Sequence, residues 1–400
     1  MPPTSPAVPP RDVTVVGASL AGLAAVRALR AQGFTGRIVV VGEEKHAPYD
    51  RPPLSKEFLA GAASDEDIAL TEPDDTELGI EWRLGRTAIG FDGPGRVVEL
   101  DDGERLTSDA VVLATGARAR TLPGDLPGGV HTLRTLDDAR ALRTDLVPGR
   151  RLVVVGAGFI GAEVASTAAG IGLEVDVVEA APVPLARALG PEMGAACGLL
   201  HERNGVRLHL GVGVARLVGE SRVSGIVLDD GRELPADVVV VGIGAAPNVE
   251  WLEGSGLTLD DGVVTDARGM TALPGVVAVG DCANSHRDFT GDRLRLEHWT
   301  NALQQPAVAA AALLGTEHSL PAHHAVPYFW SDQYGHKIQF AGHRVCEGSV
   351  RVDEGDPAEP GGFLALFLDT SGEPVGVLGV DRPRPFGRWR RELVGRLRRL

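Results

Sequence analysis

The 400-residue sequence predicts an α/β fold with two parallel-sheet domains of related design and a smaller third domain built on an antiparallel sheet. Two observations carry this. A short β-branched strand, a glycine-rich turn, a helix and a second strand occur twice, beginning at Asp12 and at Arg151. After roughly residue 320 the pattern changes to period-two segments, which read as antiparallel strands.

The first unit runs from a strand at 12–17, through a helix near 20–32, to a strand at 37–42. The second runs from a strand at 151–156, through a helix near 159–171, to a strand at 174–179. Every strand is a continuously apolar run, as expected when both faces of a parallel strand are buried. Shorter strands split by Asp/Gly turns follow each unit. They lie at 96–100 and 111–113 around Asp101-Asp102-Gly103, and at 226–228 and 238–241 around Asp230-Gly231. Asp and Gly suit such turns because they tolerate positive φ. In the third domain, strands are expected at 337–341 and 363–368, with a Gly/Pro-rich loop at 353–362.

Composition narrows the function. A hydrophobic fraction of 44% and a charged fraction of 23% belong to a soluble globular protein. A net charge of −15 argues against nucleic acid, which needs a basic face. The charge is uneven: Arg382, Arg384, Arg388, Arg390, Arg391, Arg396, Arg398 and Arg399 against Asp381 and Glu392 give the last 20 residues +6. A basic end on an acidic body suits an acidic partner protein; a solvated helix end with favourable C-terminal charge is the plainer reading. Cys197, Cys282 and Cys346 form no CxxC, zinc or disulfide pattern, so a reducing cytoplasm is expected, and Cys282 reads as small-hydrophobe packing. Residues 1–10 resemble no signal peptide and read as a disordered lead-in. The run 308–314 is far short of a membrane span and reads as a buried helix face. His323-His324 are expected in a loop, no metal site is expected, and the acids at 65–67 and Asp74-Asp75 read as solvated faces.

The two glycine turns point to dinucleotides. In Gly156-Ala157-Gly158-Phe159-Ile160-Gly161, the first glycine permits the tight turn and the second admits a pyrophosphate. The third lets the helix pack on the strand, and the helix N-terminus offers unpaired N–H groups to phosphate. Glu179, 23 residues beyond Gly156, is placed for a ribose diol. A 2′-phosphate ~4 Å from that carboxylate costs about 4 kcal/mol at an effective dielectric near ~20, which favours NADH over NADPH. The first turn, Gly17-Ala18-Ser19-Leu20-Ala21-Gly22, carries Ser19 at the middle position, where its hydroxyl is available to a phosphate oxygen. Glu43 and Glu44 follow the next strand and supply the ribose acid; a cradle that has lost its ligand is the alternative.

Further segments resemble one family. His46-Ala47-Pro48-Tyr49-Asp50-Arg51-Pro52-Pro53-Leu54-Ser55-Lys56 is similar to the PYxRPPLSK segment of ferredoxin reductases that serve bacterial oxygenases. Ala114-Thr115-Gly116-Ala117-Arg118 resembles their ATGxxP turn, with Ala119 where Pro is usual. Gly242-Ile243-Gly244-Ala245-Ala246-Pro247-Asn248 resembles their return segment, and Ala278-Val279-Gly280-Asp281-Cys282-Ala283 their second FAD fingerprint. Glu297-His298-Trp299 and Phe329-Trp330-Ser331-Asp332-Gln333 complete the set, in family order, over almost the whole chain.

The resemblance implies a glutathione-reductase type of fold: two Rossmann-like dinucleotide-binding domains plus a C-terminal α+β domain with an antiparallel sheet. The FAD-binding domain would be 1–117 and 246–322, the NAD-binding domain 118–245 and the C-terminal ferredoxin reductase domain 323–400. It implies an oxidoreductase with FAD and NADH as cofactors and an acidic iron–sulfur ferredoxin as one-electron acceptor, feeding a monooxygenase or dioxygenase. A monomer or weak homodimer, with no nucleic-acid or membrane partner, goes with it.

Residue by residue, Arg51 and Lys56 would contact FAD, Lys56 near the nitrogen that accepts hydride. Glu163 would pair with Lys56, Arg134 would reach the flavin nucleotide, and Asp281 would bond its ribityl or phosphate portion. His298 and Trp299 would lie along the isoalloxazine with Glu297 beside them, and Trp330 would wall the site. Ala88, Ala114, Thr115 and Gly116 are further flavin-side candidates, as Gly242, Ile243 and Gly244 are on the nicotinamide-nucleotide side. The plainer readings are a surface Arg51, solvated Lys56 and Glu163, core Trp299 and Trp330, and capping or surface roles for Arg134 and Asp281. Other activities remain on the same scaffold. A disulfide-type reductase or peroxide-reducing NADH oxidase needs a redox Cys after the first cradle, and none lies between Gly17 and Ala110. Rubredoxin or monodehydroascorbate reduction stays open, as does a redox sensor of the apoptosis-inducing-factor type, against whose DNA binding the acidic body speaks.

Overall fold

The computed structural model describes residues 10–287, 291–316 and 326–397. Residues 1–9 of the expected lead-in 1–10, His323-His324, Arg398 and Arg399 lie outside the described residues, and Pro10 is buried. The chain forms two compact units, each gathered from separate stretches. Met1–Asp50, Ala69–Arg118 and Ala246–Pro327 make the first; Arg51–Ile68, Ala119–Ala245 and Tyr328–Leu400 make the second.

The first unit is built on a five-stranded parallel sheet ordered Val276–Ala278, Ala110–Leu113, Asp12–Val16, Arg37–Gly42, Ile80–Leu84. Alternate residues of each strand face opposite layers. Val13, Val15, Ile38 and Val40 pack under the helices Leu20–Ala31 and Trp299–Leu314, through Val26, Leu29, Ala309 and Leu313. Val16, Val39 and Val41 face the other way, toward Phe91, Val98 and Leu106 of a three-stranded antiparallel sheet. Burial on both faces explains why the strands read as unbroken apolar runs. The hairpin strand expected from Arg96 begins at Val97, because Arg96 takes a left-handed φ of 50° that no strand accommodates.

The second unit repeats the scheme. Its parallel sheet is ordered Arg207–Leu210, Glu174–Glu179, Arg151–Val155, Val238–Val241, Val130–His131. Leu152 and Val154 face the helix Phe159–Ile171 through Val164, Ala165 and Ala168, whereas Val153 and Val155 face a three-stranded antiparallel sheet. The C-terminal segment adds a five-stranded antiparallel sheet ordered Tyr328–Gln333, His336–Gly342, Pro374–Val380, Phe363–Leu368, Ser349–Gly355. Phe340, Phe363 and Phe367 of this sheet pack on Leu189, Met193 and Cys197 of the helix Ala186–Arg203. The loop expected at 353–362 is shorter: pairing to Phe363–Leu368 continues through a bulge at Val352/Glu354 as far as Gly355.

Of the acids expected on solvated faces, Asp65, Glu66, Asp67 and Asp74 are exposed, and Asp75 is half-buried. Asp75 closes a capping box with Glu72 and takes the Arg27 guanidinium at 2.6 Å. Asp67 accepts from the Ser64 amide and hydroxyl at 2.8 and 2.9 Å. Among the described residues no helix is long and apolar enough to cross a membrane.

Candidate cofactor cradles and the Lys56 network

Each glycine turn is shaped by backbone that a Cβ would strike. In the second unit Gly156 has φ +102°, and a Cβ there would lie 2.3 Å from Gly242 O; one on Gly161 would lie 2.1 Å from Gly156 O. Gly158 differs: a Cβ on it meets nothing within 4 Å. Its missing side chain therefore leaves open space above the N-terminus of the Phe159–Ile171 helix, whose N-cap is Gly158 itself and makes no side-chain cap bond. Unpaired N–H groups facing a cleared space fit a diphosphate. Ile160 and Ile243 stand exposed, at 46% and 41%, apolar surface available to a nucleotide. Glu179 accepts from the Ala157 amide at 2.7 Å and the Ala181 amide at 2.8 Å, so it braces the glycine turn from the end of its strand.

The first unit has the same construction. Gly17 has φ +123° and a Cβ there would lie 2.0 Å from Ala114 O; one on Gly22 would lie 1.8 Å from Gly17 O. Ser19 is the N-cap of the Leu20–Ala31 helix, with extended backbone and no side-chain cap bond, and Ala21 is buried in its first turn. Of the two acids after the strand, Glu43 is exposed, while Glu44 takes the Tyr49 hydroxyl at 2.5 Å. Thr115 Oγ1 donates to Asn248 O at 2.7 Å and Asn248 Nδ2 returns to Thr115 O at 3.1 Å, locking Ala114-Thr115-Gly116 to the return segment. Gly244 lies at the second unit's end of that segment, where its carbonyl takes the Arg120 amide at 2.9 Å. Ala88 packs on the apolar cluster beside the antiparallel sheet.

A buried polar chain holds the segment 278–283. Gln305 Oε1 accepts from the Gly280 amide at 2.9 Å and its Nε2 donates to Ser285 Oγ at 2.8 Å. Asn301 Nδ2 donates to Gln305 Oε1 at 3.2 Å and Asn301 Oδ1 accepts from Arg287 at 3.1 Å. Asp281 O takes Arg295 Nη1 at 3.2 Å, and Glu297 pairs with the same arginine at 2.6 Å, so Glu297 works as a support for that turn. Trp299 Nε1 donates to Asp50 Oδ1 at 2.7 Å. Burial pushes His298, the N-cap residue of the Trp299–Leu314 helix, down to about 4, with Arg287 adding to the shift and Asp281 opposing it. The ring is neutral at pH 7.

The chemistry-bearing cluster lies in the second unit. Pro52 and Pro53 preset a 3₁₀ turn over Pro52–Ser55, and buried Leu54, Phe58 and Leu59 anchor it. That turn delivers Lys56 Nζ to Glu163 Oε2 at 2.9 Å, with side chains 12% and 3% exposed. Lys56 also donates to Pro52 O at 3.1 Å, so two of its three N–H groups are accounted for among the described residues. Glu163 further accepts from Ser55 Oγ at 2.5 Å and Ser331 Oγ at 2.6 Å. The chain has 3 lysines against 36 arginines, and Lys56 is the one that is not exposed. A compact ammonium at this one inner position, in a chain that otherwise uses guanidinium, marks a specific chemical need. Arg51 donates to Arg134 O in the same unit, and the Arg134 amide bonds Asp138 at 2.9 Å. Trp330 stacks on Tyr328 at 6.1 Å and 23°, and Arg390 lies over the Tyr328 ring at 4.0 Å. Ser55, Ser331, Gln305 and Asp50 are contacts that sequence reading left unassigned, though Asp50, Ser55 and Ser331 sit inside segments already singled out.

Two glycine-turn cradles, each closing a parallel sheet, with an antiparallel C-terminal sheet, define the class: an α/β oxidoreductase with two dinucleotide-binding regions. The chain belongs to the pyridine nucleotide-disulphide oxidoreductase family, which it matches over residues 11–306, and residues 328–398 match the reductase C-terminal family. It is 42% identical to the ferredoxin reductase component of a chlorobenzene dioxygenase from Cupriavidus sp., over 94% of this chain and 90% of that one. It is 36% identical to putidaredoxin reductase of Pseudomonas putida, over 96% and 92%. Its structure is similar to that of the covalent putidaredoxin reductase–putidaredoxin complex, with a TM-score of 0.92, 35% identity, and 96% and 93% of the two chains covered.

Proposed function

We propose that this chain is an NADH-dependent ferredoxin reductase of an oxygenase system. It is a flavoprotein oxidoreductase that uses FAD and NAD(H), and the observation that carries the reading is the pair of cradles in one chain with a buried lysine–carboxylate pair beside one of them. Relatives named as ferredoxin reductase components of dioxygenase systems support the acceptor. FAD, when bound, accepts hydride from NADH and gives up its two electrons singly.

The chain's own residues supply position and charge. The turn Gly156–Gly161 would take the NADH diphosphate, braced by Glu179, whose carboxylate also disfavours a 2′-phosphate. In the first unit the turn Gly17–Gly22 with Ser19, Thr115 and Asp281 would hold FAD, and His298 and Trp299 would border its ring; in the second unit Arg51 and Arg134 are the candidates for FAD contact. Lys56 would present its remaining N–H to the electron-rich reduced ring, steadied by Glu163. We assign residues 1–117 and 246–322 to FAD, 118–245 to NAD and 323–400 to the C-terminal domain, with segment 51–68 packing in the second compact unit. The Trp330–Tyr328–Arg390 stack reaches the helix Pro383–Leu397, where Arg384, Arg388 and Arg391 are exposed. That basic surface fits an acidic ferredoxin and would border the electron exit. A cytoplasmic monomer or weak homodimer is the expected form.

The purified protein should be yellow, and its visible bands should bleach on anaerobic addition of about one equivalent of NADH. A folded preparation that takes up no FAD contradicts the proposal.

A further inference from the structure

We infer that Ser331 is a positioning residue for hydride transfer, acting through Glu163 to aim Lys56. The inference rests on the role proposed above for Lys56. Three residues of the Phe159–Ile171 helix, Glu163, Ser166 and Thr167, lie at the i, i+3, i+4 spacing that shares one face. That face is polar inside an otherwise apolar helix, and each member has a distant partner in the second unit. Thr167 Oγ1 donates to Ser55 O at 2.7 Å, and Ser166 Oγ accepts from the Tyr334 amide at 2.6 Å. Glu163 divides its oxygens: Oε2 takes Lys56 and Ser55, and Oε1 takes Ser331.

The direction of the Ser331 proton follows from its neighbours. Gln333 Nε2 donates to Ser331 Oγ at 3.0 Å, so the hydroxyl's single proton is left for Glu163. Ser331 is 0% and Gln333 1% exposed, so bulk solvent does not reach the hydroxyl. Strand alternation places Ser331 and Gln333 on one face of Tyr328–Gln333 and the stacked Tyr328 and Trp330 on the other. The strand that carries Trp330 thus also sets the carboxylate opposite Lys56. Without the Ser331 hydroxyl, Oε1 loses the hydroxyl donor that orients it among the described residues, and Oε2 no longer has to face Lys56. A hydrogen bond to a buried charged group is strong enough to decide between such rotamers.

The test uses the FAD-loaded enzyme and four variants: S331A, S331T, K56M and the double variant S331A/K56M. S331A is expected to slow NADH-driven flavin reduction about tenfold with little change in the NADH concentration giving half-maximal rate. Its flavin midpoint potential should move in the same direction as that of K56M, by less. S331T, which keeps the hydroxyl, should restore both. The double variant should be no slower than K56M alone, because both changes act through one pair. If S331A does not load FAD, S331C keeps the volume, weakens the donor and carries the same expectation. S331A and S331T slowing the reaction equally would show a packing role and overturn the inference. An unchanged S331A beside a slow K56M would overturn it while leaving the role of Lys56 intact. An unchanged K56M would instead remove the reading on which it rests, and the inference with it.

Discussion

Gly156 and Gly158 stand two positions apart, yet a methyl group on each has different consequences. On Gly156 it would sit 2.3 Å from Gly242 O at a φ of +102°, strain that costs at least ~2 kcal/mol. On Gly158 it touches no part of the chain, and the N-cap backbone, extended at φ −75°, accepts a side chain without strain. G158A should therefore melt within about two degrees of the parent while binding NADH roughly tenfold more weakly, and G156A should lose stability outright. Thermal melting with NADH titration separates them; equal destabilisation would mean that the space over Gly158 belongs to the fold and not to a ligand. The glycine pattern is legible in sequence because it is local. Glu179 is less so: its place at the strand end predicts a ribose contact, but its bonds to the Ala157 and Ala181 amides depend on how the strand end meets the turn.

At the scale of elements, the helix Phe159–Ile171 and the strands around it fall where the apolar runs and glycine turns place them. The partners of its polar face do not, since Ser55 and Ser331 lie 108 and 168 residues from Glu163 and no periodicity reaches that far. The hairpin after Tyr328–Gln333 is similar. Its turn seats Tyr334 and Gly335 at φ 53° and 79°, and the tyrosine hydroxyl reaches His201 Nδ1 at 2.7 Å. Burial lowers His201 to about 4 from its usual 6.5, so the ring is neutral in the fold. A base depressed in this way stabilises the fold fully above about 6.5. Between about 6.5 and about 4 the unfolded chain binds the extra proton, and stability falls with pH by up to ~1.4 kcal/mol per unit. Denaturation at pH 7 and pH 5 should show this loss, and H201N should reduce it. A parent and variant with the same pH slope would place the titrating group elsewhere.

For the whole molecule, charge and order of segments were the readable features. A body of net −21 carries an end of +6, the asymmetry on which the proposal of an acidic partner rests. The grouping of 51–68 with the second unit was not readable, because its partners lie far along the chain: Leu59 packs in the core with Leu142 and Val164, and Lys56 pairs with Glu163. Cys282 is fully buried with its thiol pushed up, and burial raises Cys197 to about 12, so neither offers a thiolate; the proposed exit for electrons is the basic C-terminal surface. The direct measurement of that route is anaerobic stopped flow, in which the NADH-reduced holoprotein is mixed with an oxidised, acidic iron–sulfur ferredoxin at rising salt. The account predicts two ferredoxins reduced per NADH, with a second-order rate that falls several-fold between about 0.05 and 0.5 M salt. NADH oxidised with every ferredoxin in a broad panel left oxidised would contradict it.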